Sequence, residues 1–131
     1  MHRKVLLWGI AFAIVAVLLG AFGAHALKDI LLPESLAIYQ TASHYLSIHA
    51  LAMIAYEIWN RPVIRPVIRP AIQQWPGIAF MVGCVIFSGS LFALSITGIK
   101  ILGAITPIGG LSLMAGWVGF AYQAYRQDSK S

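Results

Sequence analysis

Residues 5–24 read VLLWGIAFAIVAVLLGAFGA, a run without one charged side chain that directly follows Arg3 and Lys4. A helix of about 20 apolar residues crosses the roughly 30 Å hydrocarbon core of a bilayer, so this run predicts a membrane-spanning helix. The basic start and Ala24-His25-Ala26 also imitate a secretory signal peptide. However, the apolar run exceeds the roughly 7 to 15 residues of a signal core, and we expect the segment to be retained.

Three further stretches have the length and apolar content of membrane helices: residues 35–59, 75–96 and 101–125. Together with a helix at about 5–24, they predict one all-α domain over residues 1–131, an integral membrane four-helix bundle. The last two stretches are separated only by residues 97–100. So short a connection predicts that they form an antiparallel hairpin.

Composition supports the membrane class, because 60% of the residues are hydrophobic and 10% are charged, against roughly 25% charged residues in soluble domains. The formal net charge is +5, but the basic residues stand between apolar runs, as topology signals do. We therefore expect no nucleic-acid partner. Cys84 is the single cysteine, which excludes an intramolecular disulfide.

Lysine and arginine are unevenly distributed among the connections. Seven fall at the amino terminus, in loop 60–74 and at the carboxyl terminus: Arg3, Lys4, Arg61, Arg65, Arg69, Arg126 and Lys130. The two opposite connections hold only Lys28 and Lys100. Short cytoplasmic loops carry the excess of basic residues, so both termini are predicted to face the cytoplasm.

Loop 60–74 contains an Arg-Pro repeat with a period of four residues, at Arg61, Arg65 and Arg69. Proline at every fourth position obstructs a continuous helix. The three arginines are predicted to bind anionic headgroups, which makes membrane lipids a predicted partner. The alternative is a linker that only determines topology.

Small residues recur on the first and fourth helices, where they allow backbones to approach closely. The predicted packing positions are Gly9, Ala13, Ala16, Gly20 and Ala24 on the first helix and Ser112, Ala115, Gly116, Gly119 and Phe120 on the fourth. The fourth helix also contains Pro107, Gly109 and Gly110. Proline removes a backbone donor and glycine loosens the chain, so we expect a kink or local unwinding there.

Polar residues gather in one layer of the predicted bundle, in its outer half. They are expected to form a cluster that binds a ligand or ties the helices together: His25, Tyr39, Thr41, His44, Ser88 and Thr106. His44 is the main candidate for a ligand- or proton-responsive group, because imidazole titrates near neutral pH. A purely structural histidine is the alternative.

Motifs for catalysis are absent from the sequence, which holds no nucleophile elbow, phosphate-binding glycine loop or acidic dyad. His44 and His49 are five residues apart, and this is not the i, i+4 spacing of a helical metal clamp. We therefore expect no catalytic residues, no metal, no cofactor and no enzymatic activity.

Three groups of motifs together carry a family resemblance. They are Gly20-Ala21-Phe22-Gly23-Ala24-His25-Ala26-Leu27, then Tyr39-Gln40-Thr41-Ala42-Ser43-His44-Tyr45 with His49-Ala50-Leu51-Ala52, and Phe87-Ser88-Gly89-Ser90-Leu91-Phe92 followed by Thr106-Pro107-Ile108-Gly109-Gly110. The chain resembles the uncharacterised membrane-protein family catalogued as domain of unknown function 423, to which eukaryotic transmembrane protein 256 is related. The resemblance implies a four-helix bacterial inner-membrane protein and implies no activity.

The functional expectation is a non-enzymatic helical bundle whose polar cluster binds a small ligand or supports a membrane complex. A homo-oligomer or another membrane protein would be the partner in such a complex. The alternative is an oligomeric transporter, either of small molecules or proton-coupled, which would use the kinked fourth helix and His44.

Overall fold

The computed structural model of the chain describes residues 2–61 and 71–128. It contains four long helices: α1 (His2–His25), α2 (Pro33–Trp59), α3 (Trp75–Thr97) and α4 (Ile101–Asp128). Within α3, a π-helical turn at Cys84–Ser88 joins the α-helical segments Trp75–Gly83 and Gly89–Thr97. The predicted all-α four-helix class is confirmed.

Proline and glycine set several of the helix ends. Pro33 and Pro76 stand in the first turns of α2 and α3, where the missing N–H has no intrahelical partner in any case. Helix α3 ends at Gly98, whose φ of 70° is left-handed and costs glycine little. The N–H of Gly98 donates to the carbonyl of Leu94 at 2.8 Å, which closes the helix before the chain turns into α4.

Three of the helices are long and apolar enough to span a bilayer: α1, α3 and α4. Helix α2 has the length, at 27 residues, but is more polar than the other three. It runs antiparallel beside α1 along the whole of the apolar run, because Gly9 lies against Met53 and Gly23 lies against Tyr39. Helix α2 therefore reaches the same depth as α1, on which it packs.

The remaining contacts give an up-down-up-down arrangement. Ser88 of α3 bonds to Ala42 of α2, and Thr106 of α4 bonds to Ser90 of α3. The start of α1, the end of α2, the start of α3 and the end of α4 consequently lie at one end of the bundle, which we name the basic end for Arg3, Lys4, Arg61 and Arg126. Which side of the membrane this end faces stays a prediction from the basic residues. Arg65, Arg69 and Lys130 lie outside the described residues.

Helices α3 and α4 meet along a seam of glycines. A Cβ atom added to Gly83, Gly109, Gly116 or Gly119 would come within 3 Å of the opposite helix, closer than real side chains approach. Lipid supplies no hydrophobic drive between helices, so such close van der Waals contact is a main source of association. The seam includes Gly116 and Gly119, two of the predicted packing positions.

Helix α4 continues as one helix through Pro107, Gly109 and Gly110, so the expected local unwinding does not occur there, and a bend of the helix axis stays a prediction. The irregular turn lies on the opposite side of the interface, in the π-helical segment of α3. The backbone of Phe87 in that turn lies directly against Gly109. A π turn is wider than an α turn, and the absent side chain of Gly109 makes room for it.

We predict that Gly109→Ala destabilises the bundle by about 1 to 3 kcal/mol, the usual cost of overpacking a tight interface. The matched control is Gly110→Ala, because a Cβ at Gly110 would meet the Phe87 ring at an ordinary 3.7 Å. The control gains helix propensity and should be neutral or slightly stabilising. Unfolding in detergent with increasing dodecyl sulfate measures both, and equal stability of the two variants would refute the tight contact.

Candidate functional site

Half of the predicted polar cluster lies inside the bundle and joins its helices. Tyr39 donates from its hydroxyl to the Leu19 carbonyl of α1 at 2.5 Å, and Ser88 donates to the Ala42 carbonyl of α2 at 2.9 Å. The hydroxyls of Ser90 and Thr106 are 2.6 Å apart. Tyr39, Ser88 and Thr106 are buried, and each is hydrogen-bonded to a neighbouring helix.

The other half of the cluster faces outward. His25, Thr41 and His44 are exposed, and the hydroxyl of Thr41 bonds only within its own helix, to the Ala37 carbonyl at 3.0 Å. At 100° per residue, Thr41 is about 200° and His44 about 140° around α2 from Tyr39. The structure therefore does not gather the six residues into one cluster, because Thr41 and His44 lie on a different face of α2 from Tyr39.

Helix α2 thus has two opposite faces that both follow a seven-residue spacing. The inward face, buried throughout, consists of Tyr39, Ala42, Leu46, His49, Met53 and Tyr56. The outward row, exposed throughout, consists of Ala37, Thr41, His44, Ile48, Leu51, Ala55 and Ile58. Steps of three and four residues that alternate along a helix are typical of a face that packs against another helix.

His49 is buried, with 5% of its surface exposed, and the sequence reasoning gave it no role beyond excluding a metal clamp. Its Nδ1 lies 2.7 Å from the Tyr45 carbonyl, and Trp117 of α4 donates from Nε1 to its Nε2 at 3.1 Å. A carbonyl only accepts, so Nδ1 carries the proton and Nε2 accepts. This pair of bonds holds His49 as a neutral imidazole that joins α2 to α4. The seven-residue spacing of the inward row was the sequence signal that could have identified His49 as a core residue.

A second polar network closes the basic end of the bundle. The Tyr56 hydroxyl lies 2.9 Å from Oε1 of Gln123 and 3.1 Å from the Gln73 carbonyl. Gln123 donates from Nε2 to the same carbonyl at 2.6 Å, and Asn60 donates to the Tyr56 carbonyl at 2.8 Å. The network joins α2, α4 and the turn before α3, so its amide and hydroxyl groups are used for structure.

The polar side chains that join the helices of this bundle do so by hydrogen bonds. No group of three histidine, cysteine or acidic side chains in residues 2–61 and 71–128 could hold a metal ion. Cys84 is a buried thiol in the π turn. Two of the exposed polar side chains on α2 are His44, in the outward row, and Gln40, one turn before it on the same side of the helix.

Comparison with known proteins agrees with the membrane architecture. Residues 19–110 match a family model described as protein of unknown function (DUF423), and these residues contain all three groups of motifs that carried the resemblance. No solved structure matches the chain.

Curated relatives are similar over most of their length. A UPF0382 membrane protein of Staphylococcus saprophyticus is 39% identical over 81% of this chain and 83% of its own length. The UPF0382 membrane protein YwdK of Bacillus subtilis is 37% identical over 81% of this chain and 83% of its own length. The UPF0382 inner membrane protein YgdD of Escherichia coli K12 is 30% identical over 98% of this chain and 94% of its own length.

We predict that His49 and Trp117 are energetically coupled. In a double-mutant cycle with His49→Leu and Trp117→Phe, the coupling energy should be about 0.6 kcal/mol and should not exceed about 1.7 kcal/mol, as for other hydrogen bonds between membrane helices. The control cycle pairs His49→Leu with Trp8→Phe, since Trp8 is half-exposed on α1. Strict additivity of the first pair in detergent unfolding would contradict the bond.

Proposed function

The chain belongs to the DUF423 family of membrane proteins, and we propose that it is a non-enzymatic subunit of a membrane complex that associates through the outward face of α2. It is a multi-pass helical protein of the inner membrane, as its three apolar helices and the name of the Escherichia coli relative agree. Association into a complex is the property that we propose in addition to this membrane location.

One observation carries the proposal: His44 is exposed on a helix at membrane depth, and Gln40, one turn nearer to the end of the apolar run, is exposed on the same side of α2. His44 directly follows Ser43, which lies against Gly20 of α1. Gly20 is four residues before the end of the apolar run, so His44 lies roughly 6 Å inside that end at 1.5 Å per residue. Within the part of the chain that the structure describes, neither side chain makes a hydrogen bond.

A polar side chain in hydrocarbon is costly unless it finds a partner, at about 1 to 3 kcal/mol for an unbonded amide or hydroxyl. Another protein helix removes this cost if it covers the outward row and supplies donors and acceptors. The row also contains small residues, Ala37 and Ala55, that let a partner helix approach closely. Ile48 and Leu51 would pack between them.

A second copy of the chain fits this face best. A neutral histidine and a glutamine each carry both a donor and an acceptor, so they can pair with their own copies. Two chains inserted with the same orientation are related by an axis along the membrane normal, which brings each outward row against itself at equal depth. His44 of one copy would then meet His44 or Gln40 of the other.

Binding of a small ligand by the inward polar groups has less support. Tyr39, Ser88 and Thr106 are already bonded to helix carbonyls or to a neighbouring hydroxyl. A ligand would have to replace these bonds while the bundle stayed intact. The outward groups have no such competition, so the geometry favours the complex.

Transport is the second candidate, and His44 is the feature that favours it. In a ring of three or more copies the same outward rows would surround a central axis, with His44 and Gln40 lining it. We predict that such a ring would give proton or small-solute flux in liposomes, and that His44→Leu would abolish this flux. If the wild-type protein self-associates but gives no flux, the outward row serves association and not transport.

We predict that a cysteine at Ile48 crosslinks two copies in native membranes. Ile48→Cys places a thiol in the middle of the outward row, whereas Cys84 is buried and contributes little background. The control is Val17→Cys on the lipid-facing side of α1, where 72% of the side chain is exposed. Addition of His44→Leu should weaken association about threefold, the equivalent of one interhelical hydrogen bond of about 0.6 kcal/mol.

Three results separate the outcomes. Crosslinked dimer from Ile48→Cys with little from Val17→Cys supports self-association through α2. A crosslink from Ile48→Cys to a different protein would replace the second copy with that partner. Equal crosslinking at both positions, or a monomer without any partner in native mass spectrometry from native lipids, would refute the proposal.

A further inference from the structure

An apolar crevice opens between α1 and α3, on the surface that faces lipid. It has a volume of about 270 Å³ and is lined by Trp8, Met81, Val82, Val85 and Ile86. This is slightly below the roughly 300 to 1,000 Å³ of sites that enclose compact ligands. Its apolar lining suits a segment of one hydrocarbon chain.

The crevice begins directly below a close crossing of the two helices. Val5 of α1 lies against Gly77 of α3, and both helices run away from the basic end. One turn deeper the facing positions are Trp8 and Met81, and another turn deeper α3 enters the π-helical segment that contains Val85 and Ile86. The lining residues Trp8, Met81 and Val85 thus follow one another along the two helices with increasing distance from the basic end, the direction in which an acyl chain lies.

Positive charge lies directly above the crevice. Lys4 is exposed and is four residues before Trp8, so the two side chains lie on the same face of α1, one turn apart. Arg3 is about 140° around the helix from Trp8. Trp8 is half-exposed at this level, and tryptophan favours the depth of the headgroups. Each lysine or arginine near a membrane surface attracts anionic lipid by about 1 kcal/mol.

From these three observations we propose that the crevice is a binding site for one anionic phospholipid, with its acyl chain against Trp8 and Val85 and its phosphate beside Lys4. The site does not depend on the outward face of α2. It also differs from the predicted headgroup contacts of the arginine loop, because it holds the chain of the lipid as well as its charge.

Trp8 lies in the crevice and is therefore the reporter for the test. The full-length protein is placed in phosphatidylcholine vesicles that contain a minor fraction of phosphatidylglycerol or phosphatidylcholine brominated on its acyl chains. Bromine quenches tryptophan on contact, and the difference between wild type and Trp8→Phe isolates the signal of Trp8. Brominated phosphatidylglycerol should reach half-maximal quenching at an about fivefold lower fraction than brominated phosphatidylcholine.

Two pairs of variants test separately the contribution of the Lys4 charge and that of the apolar lining of the crevice. Lys4→Gln should remove most of the preference for phosphatidylglycerol, whereas Lys100→Gln, the same change at the opposite end of the bundle, should keep it. Val82→Phe fills the crevice and should lower the phosphatidylglycerol retained in native mass spectrometry. Val17→Phe, a matched change on the exposed side of α1, should leave retention unchanged.

The results that would overturn the proposal are specific. Equal quenching of Trp8 by both brominated lipids, or an unchanged preference in Lys4→Gln, would exclude the anionic headgroup site. Retention in Val82→Phe equal to that in Val17→Phe would place the acyl chain elsewhere. A Trp8 signal that neither lipid quenches would mean that protein covers the crevice. Lys4→Gln changes only a surface charge, so its result stands even if Val82→Phe fails to fold.

Discussion

A hydroxyl, amide or imidazole inside a bilayer has no water to bond with, and most features of this bundle follow from that constraint. Tyr39, Ser88 and Thr106 each find a partner on a neighbouring helix. His49 uses both of its ring nitrogens. Part of the polar content of α2, at Tyr39, His49 and Tyr56, thus bonds this helix to its neighbours. Helix α2 is less apolar than the other three helices, and it lies at the same depth as α1 because it packs along that helix.

The sequence was sufficient for the class of fold and for the family, because both rest on strong signals. The length of an uncharged run such as residues 5–24 can be compared directly with the thickness of a bilayer. The ordered motifs between residues 20 and 110 are, taken together, specific for the family. The polar site was harder, since it depends on angle as well as on depth. Tyr39, Thr41 and His44 are close in sequence and similar in depth, yet they divide between two faces of α2. The seven-residue spacing would have separated them, and it would also have placed His49 in the core.

The π turn of α3 was not predicted, because it depends on the contact between two helices, which rules for a single helix do not contain. Pro107 and two glycines made α4 the obvious place for a break, but these residues weaken only the backbone of their own helix. In the structure α4 stays helical and the extra width is taken by the π turn of α3, against Gly109. A glycine at a helix crossing can therefore signal an irregularity in the partner helix, and only the paired structure reveals which helix departs from α geometry.

The π turn also connects the interior of the bundle to its lipid-facing surface. On one side, Phe87 presses its backbone against Gly109 and Ser88 bonds to the Ala42 carbonyl. On the other side, Val85 and Ile86 form the deeper wall of the crevice beside α1. One wide turn thus lies at the tight α3–α4 seam and at the loose α1–α3 gap. A packed interior is rigid, so a larger side chain at Gly109 would displace the π turn. Only two or three residues separate Gly109 from the lipid-facing crevice along these contacts, so the displacement would reach the crevice.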